Sequence, residues 1–154
     1  MTRQPVHSVA NKSKITAMKR TKLSNPMKFL YDAGHISATH LDYGCGRGDD
    51  ADLLFCDKFD PHWHPTEPST TYDSISCIYV LNVIEDEAER DEAVTKILSL
   101  LNPGGKAFFA VRRDKFTPGK TSRGTWQGWI KLNAPFTVLT EDKNRYCIYE
   151  LTKE

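Results

Sequence analysis

Leu41 to Asp50 reads LDYGCGRGDD, and these are the residue types of a ligand loop. Glycines alternate at positions 44, 46 and 48, and an acid, Asp42, stands two residues ahead of the first. A strand running into such a loop turns sharply, and without Cβ atoms its backbone approaches a ligand closely. The spacing then selects among ligands. A dinucleotide fingerprint needs a Gly or Ala where this chain has Asp49, and Asp50 follows it. Carboxylates at that helix start repel a pyrophosphate. A phosphate-binding P-loop needs Gly-Lys-Ser/Thr, which the segment lacks. What fits is an uncharged backbone cradle for a ligand carrying positive charge. On this segment alone, a structural glycine turn or another nucleotide site stays open.

The flanking elements must position that loop. Residues 39–43 predict the first strand, and a helix stub over 50–54 is all that fits before a second strand at 55–60. Residues 61–72, PHWHPTEPSTTY, are proline-rich and aperiodic, with no room for both a helix and an edge strand. Residues 74–81, SISCIYVL, form a short apolar run of the buried parallel kind. Asn82 follows it, at the edge where open α/β sheets bind ligands. An amphipathic helix over 85–101 turns Val94, Ile97, Leu98 and Leu101 to the sheet and its acids to water. Asn102-Pro103-Gly104-Gly105 leads into a strand at 106–112, and strands at 136–140 and 145–151 pair as a hairpin. Ahead of all these, Asn25 and Pro26 read as the N-cap and first position of a helix bearing Met27, Leu30 and Tyr31 and ending at Gly34. The expected fold is a compact Rossmann-like, doubly wound α/β sheet, mostly parallel, with a C-terminal antiparallel hairpin.

LDYGCGRG resembles the first motif of the class I S-adenosylmethionine (AdoMet) methyltransferases. The order strand, glycine loop, strand, strand, helix, Pro-Gly-Gly, strand is similar to theirs. In that family's strand numbering the resemblance implies the order 2-1-4-5-7-6, with edge strand 3 absent or vestigial. It also implies AdoMet as cofactor, with Asp42 holding the methionine end and Gly44, Cys45, Gly46 and Gly48 lying against it. Asp60, at the second strand tip, suits the ribose because a carboxylate accepts from both hydroxyls. Asp57 competes from inside the strand. Pro61 and His62 adjoin Asp60, and His62 and Trp63 either frame the adenine or simply pack. Asn82 is expected to touch the cofactor and position the acceptor, and Asp114 to act as base where the acceptor must lose a proton. Arg112, Arg113 and Arg123 would orient an anionic substrate, unless Arg112 and Arg113 instead pair with surface acids, and Tyr79 reads as core. Residues 115–129, KFTPGKTSRGTWQGW, depart from the family, which has a further helix there. The NPPY or DPPY signature of amino-methylating DNA enzymes is also missing. A narrower likeness, in LDYGCGRGDD, FDP (59–61), YVLNVIEDEAER (79–90) and TAMKRTKLSNPMKFL, is to the DNA phosphorothioation-associated methyltransferases and shorter phage or bacterial relatives.

Composition bounds the rest. With 154 residues, 39% of them hydrophobic, the chain supports one domain, expected over 23–154 behind a flexible basic arm at 1–22. No apolar run has the length of a membrane span and no signal peptide is visible, so a cytoplasmic location is expected. Cys45, Cys56, Cys77 and Cys147 lie far apart and read as reduced thiols. His62 and His64 find only Asp57, Asp60 and Cys56 nearby, and no metal is expected. The net charge of +1 conceals segregation: residues 1–31 carry seven cations and no acid, and residues 42–92 carry fourteen acids against three cations. The basic segments 12–28 and 112–131, the second with Trp126 and Trp129, predict a nucleic acid or nucleotide partner. A basic tail beside a solvated acidic helix would give the same composition. The competing function is a non-catalytic AdoMet-binding or nucleic-acid-binding module, which small size favours. The complete cofactor set favours the enzyme.

Overall fold

A computed structural model describes residues 21–154. The expected arm therefore lies outside the described residues except for Thr21 and Lys22. Helix α1 (Asn25–Asp32) precedes β1 (His40–Tyr43), α2 (Asp49–Leu54), β2 (Asp57–Phe59) and β3 (Tyr72–Ile78). A single 3-10 turn (Leu81–Val83) leads to α3 (Glu87–Ser99) and β4 (Leu101–Arg112). The short β5 (Gly119–Lys120) and β6 (Trp126–Gln127) form a separate hairpin, and β7 (Thr137–Asp142) and β8 (Tyr146–Thr152) finish the chain.

The main sheet has six strands in the order β2-β1-β3-β4-β8-β7. Strands β2, β1, β3 and β4 are parallel, whereas β8 pairs antiparallel with β4 and with β7. This is the expected order, with residues 61–71 forming turns and irregular chain where a third parallel strand would stand. The chain leaves β1 for β2 on one side and then returns to β3 on the other. That reversal opens a crevice at the C-terminal end of β1, the place where open sheets take ligands.

Alternation assigns the two faces. Ala107, Phe109 and Val111 join Leu41, Ile75, Cys77 and Ile97 in the core under α3. Phe108 and Ala110 join Met27, Leu30, Tyr146 and Ile148 under α1. His40, Asp42, Ser74 and Ser76 are the alternate residues of β1 and β3 and are also buried. One stretch of the sheet is therefore polar where apolar packing would be usual.

Several boundaries differ from the expectations. Ser24, not Asn25, caps α1, and its buried backbone N–H and hydroxyl donate to Asp50 Oδ1 and Oδ2 at 2.8 and 2.7 Å. The Asp50 carboxylate thus ties α1 to the start of α2. Tyr31 is exposed, leaving Met27 and Leu30 as the buried face of α1. The second strand is three residues long, because Phe55 ends α2 in the left-handed region at φ 56° and its N–H caps Ala51 and Asp52 carbonyls. Helix α3 starts late because Asp86 caps it, accepting from the Ala88 N–H at 3.0 Å. Strand β4 starts early, absorbing Pro-Gly-Gly as an irregularity in its pairing with β3.

Candidate active site

The glycine loop is fastened to the tip of β2. The Gly44 and Cys45 amides donate to the Phe59 carbonyl at 2.8 and 3.0 Å, and the Gly46 amide donates to Asp60 Oδ1 at 3.0 Å. Gly44 has φ 77°, and a Cβ there would stand 2.5 Å from Val80 Cγ2. Only glycine lets β1 turn this close to the end of β3. Gly46 and Gly48 also have positive φ. The Cys45 thiol is half-buried, its Sγ 3.5 Å from the Gly46 carbonyl, and burial keeps it protonated. Arg47 crosses the loop to stack on Trp63, 4.5 Å from the ring centroid, and His64 Nε2 bonds the Arg47 carbonyl at 2.9 Å.

Asp42 lies under this loop with 3% of its surface exposed. The Ser76 hydroxyl donates to its Oδ1 at 2.9 Å. Among the described residues no lysine, arginine or histidine forms an ion pair with it. Burial first, then the charge of Asp50, pushes its carboxyl up to about 8, with Asp60 adding and the Ser76 bond opposing. A negative charge is held here only at a cost, and a cation above the loop would remove that cost.

Asp60 sits at the expected strand tip, beside the loop, and is buried. Its Oδ2 accepts the His62 and Trp63 amides at 3.0 and 2.9 Å, in addition to the Gly46 amide on Oδ1. In this structure the carboxylate clamps two loops together. Pro61 and His62 begin the turn it holds, and His62 packs edge-on against Trp63. Asp57 is engaged elsewhere, accepting from the Tyr72 hydroxyl at 2.6 Å. Asp60→Ala should cost about 2–4 kcal/mol by stranding amides that now bond a charged acceptor. Urea denaturation measures the loss, and amide exchange at Gly46, His62 and Trp63 locates it. Unchanged protection at those three amides would contradict the clamp.

Asn82 is 1% exposed, just beyond β3. Its Nδ2 donates to Gln127 Oε1 at 3.0 Å and its carbonyl accepts from the Gly128 amide at 2.8 Å, so it anchors the β5–β6 hairpin. Its Oδ1 is buried and has no partner among the described residues. An orphaned acceptor of this kind calls for a donor on a ligand. Tyr79, read as core from sequence, is half-buried against the core under α1, at a strained φ of 59°. The Asn82 side chain bonds Gln127, whereas Asp114, which follows the adjacent strand β4, bonds Arg112 through its carboxylate. It is held in a two-pronged pair by Arg112 at 2.7 and 2.6 Å, which lowers its pKa below the usual carboxylate range. That pairing makes it a poor base as it stands.

Sequence reasoning missed Gln127, the Ser24–Asp50 tie, and the buried His40 between Ser74 and Ser76. The signal for the last was present: His-x-Asp on one strand and Ser-x-Ser on the next place polar groups on one face.

A parallel sheet closed by an antiparallel hairpin, with a glycine loop at its switch point, defines the Rossmann-like methyltransferase fold. The sequence pattern described as "Methyltransferase domain" matches residues 16–142, and the chain belongs to that family. No curated protein matches it in sequence. The fold is similar to the Burkholderia thailandensis 1,6-didemethyltoxoflavin N1-methyltransferase solved with S-adenosylhomocysteine, at TM-score 0.61 and 15% identity over 84% of this chain and 77% of that one. It is similar also to the N-methyltransferase NodS of Bradyrhizobium japonicum with S-adenosylhomocysteine, at TM-score 0.54 and 11% identity over 95% and 98%. A third likeness, to the Synechocystis magnesium protoporphyrin IX methyltransferase with bound AdoMet, has TM-score 0.51 and 14% identity over 84% and 76%.

Proposed function

We propose that the protein binds AdoMet over the glycine loop and transfers its methyl group to an anionic acceptor of the nucleic acid or nucleotide class. The observation that carries this is Asp42, a buried carboxyl with no cationic partner among the described residues, set beneath the glycine loop at the C-terminal end of β1. AdoMet supplies an activated methyl on a sulfonium, together with an ammonium group. Asp42 would neutralise that positive end, Asp60 at the tip of β2 would meet the ribose, and Asn82 Oδ1 would receive a donor from cofactor or acceptor. The chain mainly has to align the reacting groups and exclude water, and such alignment supplies about 7–11 kcal/mol in well-oriented systems.

The acceptor class rests on the basic segments. Residues 12–20 fall outside the described residues. In the second segment Arg113 is buried and pairs with Glu141, and Arg112 pairs with Asp114. The charge available to an anion therefore narrows to Lys115, Lys120, Arg123 and Lys131, which form no ion pair among the described residues. Trp126 packs against the core, whereas Trp129 is exposed over Arg113, 4.4 Å from its ring, and is the better stacking surface. A cleft of about 530 Å³ is lined by Leu81, Trp129 and Lys131, with Glu87, Arg90 and Asp91 of α3 on its other wall, so its charge is mixed. The narrower likeness to the DNA phosphorothioation-associated family rests on the four segments already quoted and leaves the acceptor atom open. Four free cysteines suit a reducing, cytoplasmic setting, and no helix among the described residues is long and apolar enough to cross a membrane.

The clamp on Asp114 favours the second reading, a module that binds AdoMet or nucleic acid without catalysis. Incubation with methyl-labelled AdoMet and fractionated RNA, DNA, protein and small metabolites separates the two. Label in RNA, DNA or nucleotides is the expected result. AdoMet binding with no transfer to any fraction supports the module, and label only in neutral metabolites removes the anionic acceptor.

A further inference from the structure

The polar stretch of the sheet is a continuous hydrogen-bonded chain. Ser76 Oγ lies 2.9 Å from Asp42 Oδ1 and 2.9 Å from His40 Nε2. His40 Nδ1 lies 2.6 Å from Ser74 Oγ, which lies 2.7 Å from Ser37 Oγ. Ser37 is half-buried ahead of β1, and its hydroxyl also reaches the Thr39 carbonyl at 2.8 Å on the exposed side. The register explains the chain, since His40 pairs with Ser74 and Asp42 with Ser76 across two parallel strands.

Counting donors leaves two proton arrangements on one set of heavy atoms. Each serine owns one hydroxyl proton and a neutral imidazole owns one N–H. Burial brings the His40 pKa down to about 4, so the ring stays neutral. In the first arrangement a protonated Asp42 donates to Ser76, Ser76 to Nε2, Nδ1–H to Ser74, Ser74 to Ser37, and Ser37 to Thr39. In the second, Ser37 donates to Ser74, Ser74 to Nδ1, Nε2–H to Ser76, and Ser76 to an ionised Asp42. The two differ by one proton, and the His40 tautomer reports which is present.

We infer that Ser76, His40, Ser74 and Ser37 are a proton relay that empties Asp42 toward the N-terminal edge of the sheet when a cationic ligand settles on the glycine loop. The Asp42 O–H bond breaks and its proton passes to Ser76. Ser76 gives its own to Nε2, Nδ1 gives its own to Ser74, and Ser74 gives its own to Ser37, which releases one to water. The driving force is local. Asp50 on α2 and Asp60 beyond β2 face Asp42 and keep it protonated, as does burial, while the Cys45, Cys56 and Cys77 thiols around it stay neutral. A cation reverses that balance and at the same time covers the direct way out. His40 is thus a positioning and proton-passing residue, and the inference takes its ligand from the methyltransferase reading.

Imidazole nitrogen spectroscopy on histidine-labelled full chain tests this, with His40 assigned by its absence in His40→Gln. In the free protein His40 should carry its proton on Nδ1 at about pH 6 and on Nε2 at about pH 9.5, without becoming cationic. Asp42→Asn, whose amide has no proton to give up, should hold one and the same tautomer throughout. Saturating AdoMet at about pH 7 should switch the wild-type ring to Nε2–H. A single tautomer at every pH, or the same switch in Asp42→Asn, overturns the relay. A pH switch with no AdoMet binding overturns the cofactor reading and leaves the relay standing. In stopped flow with a pH indicator, His40→Gln should release its proton at least about tenfold more slowly than it binds AdoMet, and release in step with binding overturns the inference.

Discussion

Asp42→Asn should stabilise the free protein by about 2–4 kcal/mol near neutral pH while weakening AdoMet binding by about two orders of magnitude. The sign follows from the raised carboxyl. In the unfolded chain Asp42 ionises at its ordinary value of 3.8, and in the folded chain near 8. Between those values folding takes up a proton, so each pH unit costs the wild type about 1.4 kcal/mol. The cost is absent below the unfolded value, grows through the window, and is complete above the folded one. Asparagine keeps the hydrogen bonding and carries no charge to desolvate, so its advantage should follow the same curve. Urea denaturation at about pH 4 and about pH 7.5 reads the difference, with the variants equal at the first and separated at the second. Binding moves the opposite way, because an amide cannot neutralise a sulfonium or ammonium group. A variant less stable than wild type at neutral pH, or one that binds AdoMet as tightly, would remove Asp42 as the cation's partner.

Gly44→Ala should lose about 2–4 kcal/mol of stability, the sum of a left-handed backbone and an overpacked contact. AdoMet binding should go with it. The φ of 77° accounts for one part, and the approach of 2.5 Å to Val80 Cγ2 for the other. Val80 is β-branched and has few rotamers with which to move aside. Gly34→Ala is the control, since Gly34 has a similar φ of 81° but nothing within 4 Å of its Cβ direction. It should cost about 1–2 kcal/mol and leave binding intact. Denaturation and calorimetry on the pair separate backbone strain from close approach. Equal losses in both variants would mean that β3 does not press on the loop.

The protein therefore carries strain and buried charge in the same crevice, and both become useful only with a ligand in place. This accounts for the way the expected residues divide. Gly44, Gly46, Gly48 and Asp42 stand around the crevice at the end of β1 as their spacing suggested. Asp60 stands there too, but with three backbone amides already bound. Asp114 is drawn away by Arg112. Asn82 is split between an anchoring amide and an orphaned oxygen.

The strand order followed from the family resemblance, while the sequence by itself determined the run of elements, the two-faced core and the place of the glycine loop. Those features rest on short-range physics: alternation along β4, the period of α3, the caps and breakers between elements, and a glycine spacing that excludes phosphate ligands. Residues that meet across the sheet were decided by the tertiary structure alone. His40 meets Ser74 and Ser76 at separations of 34 and 36 residues, and Ser24 meets Asp50 at 26. No local pattern states which serine a histidine will touch or whether a carboxylate will find a guanidinium. Yet those pairings set the protonation of Asp42, the weakness of Asp114 as a base and the path by which a proton can leave. The physical reason is desolvation: a charge acts through what replaces its water, and that is known only once the chain has closed around it.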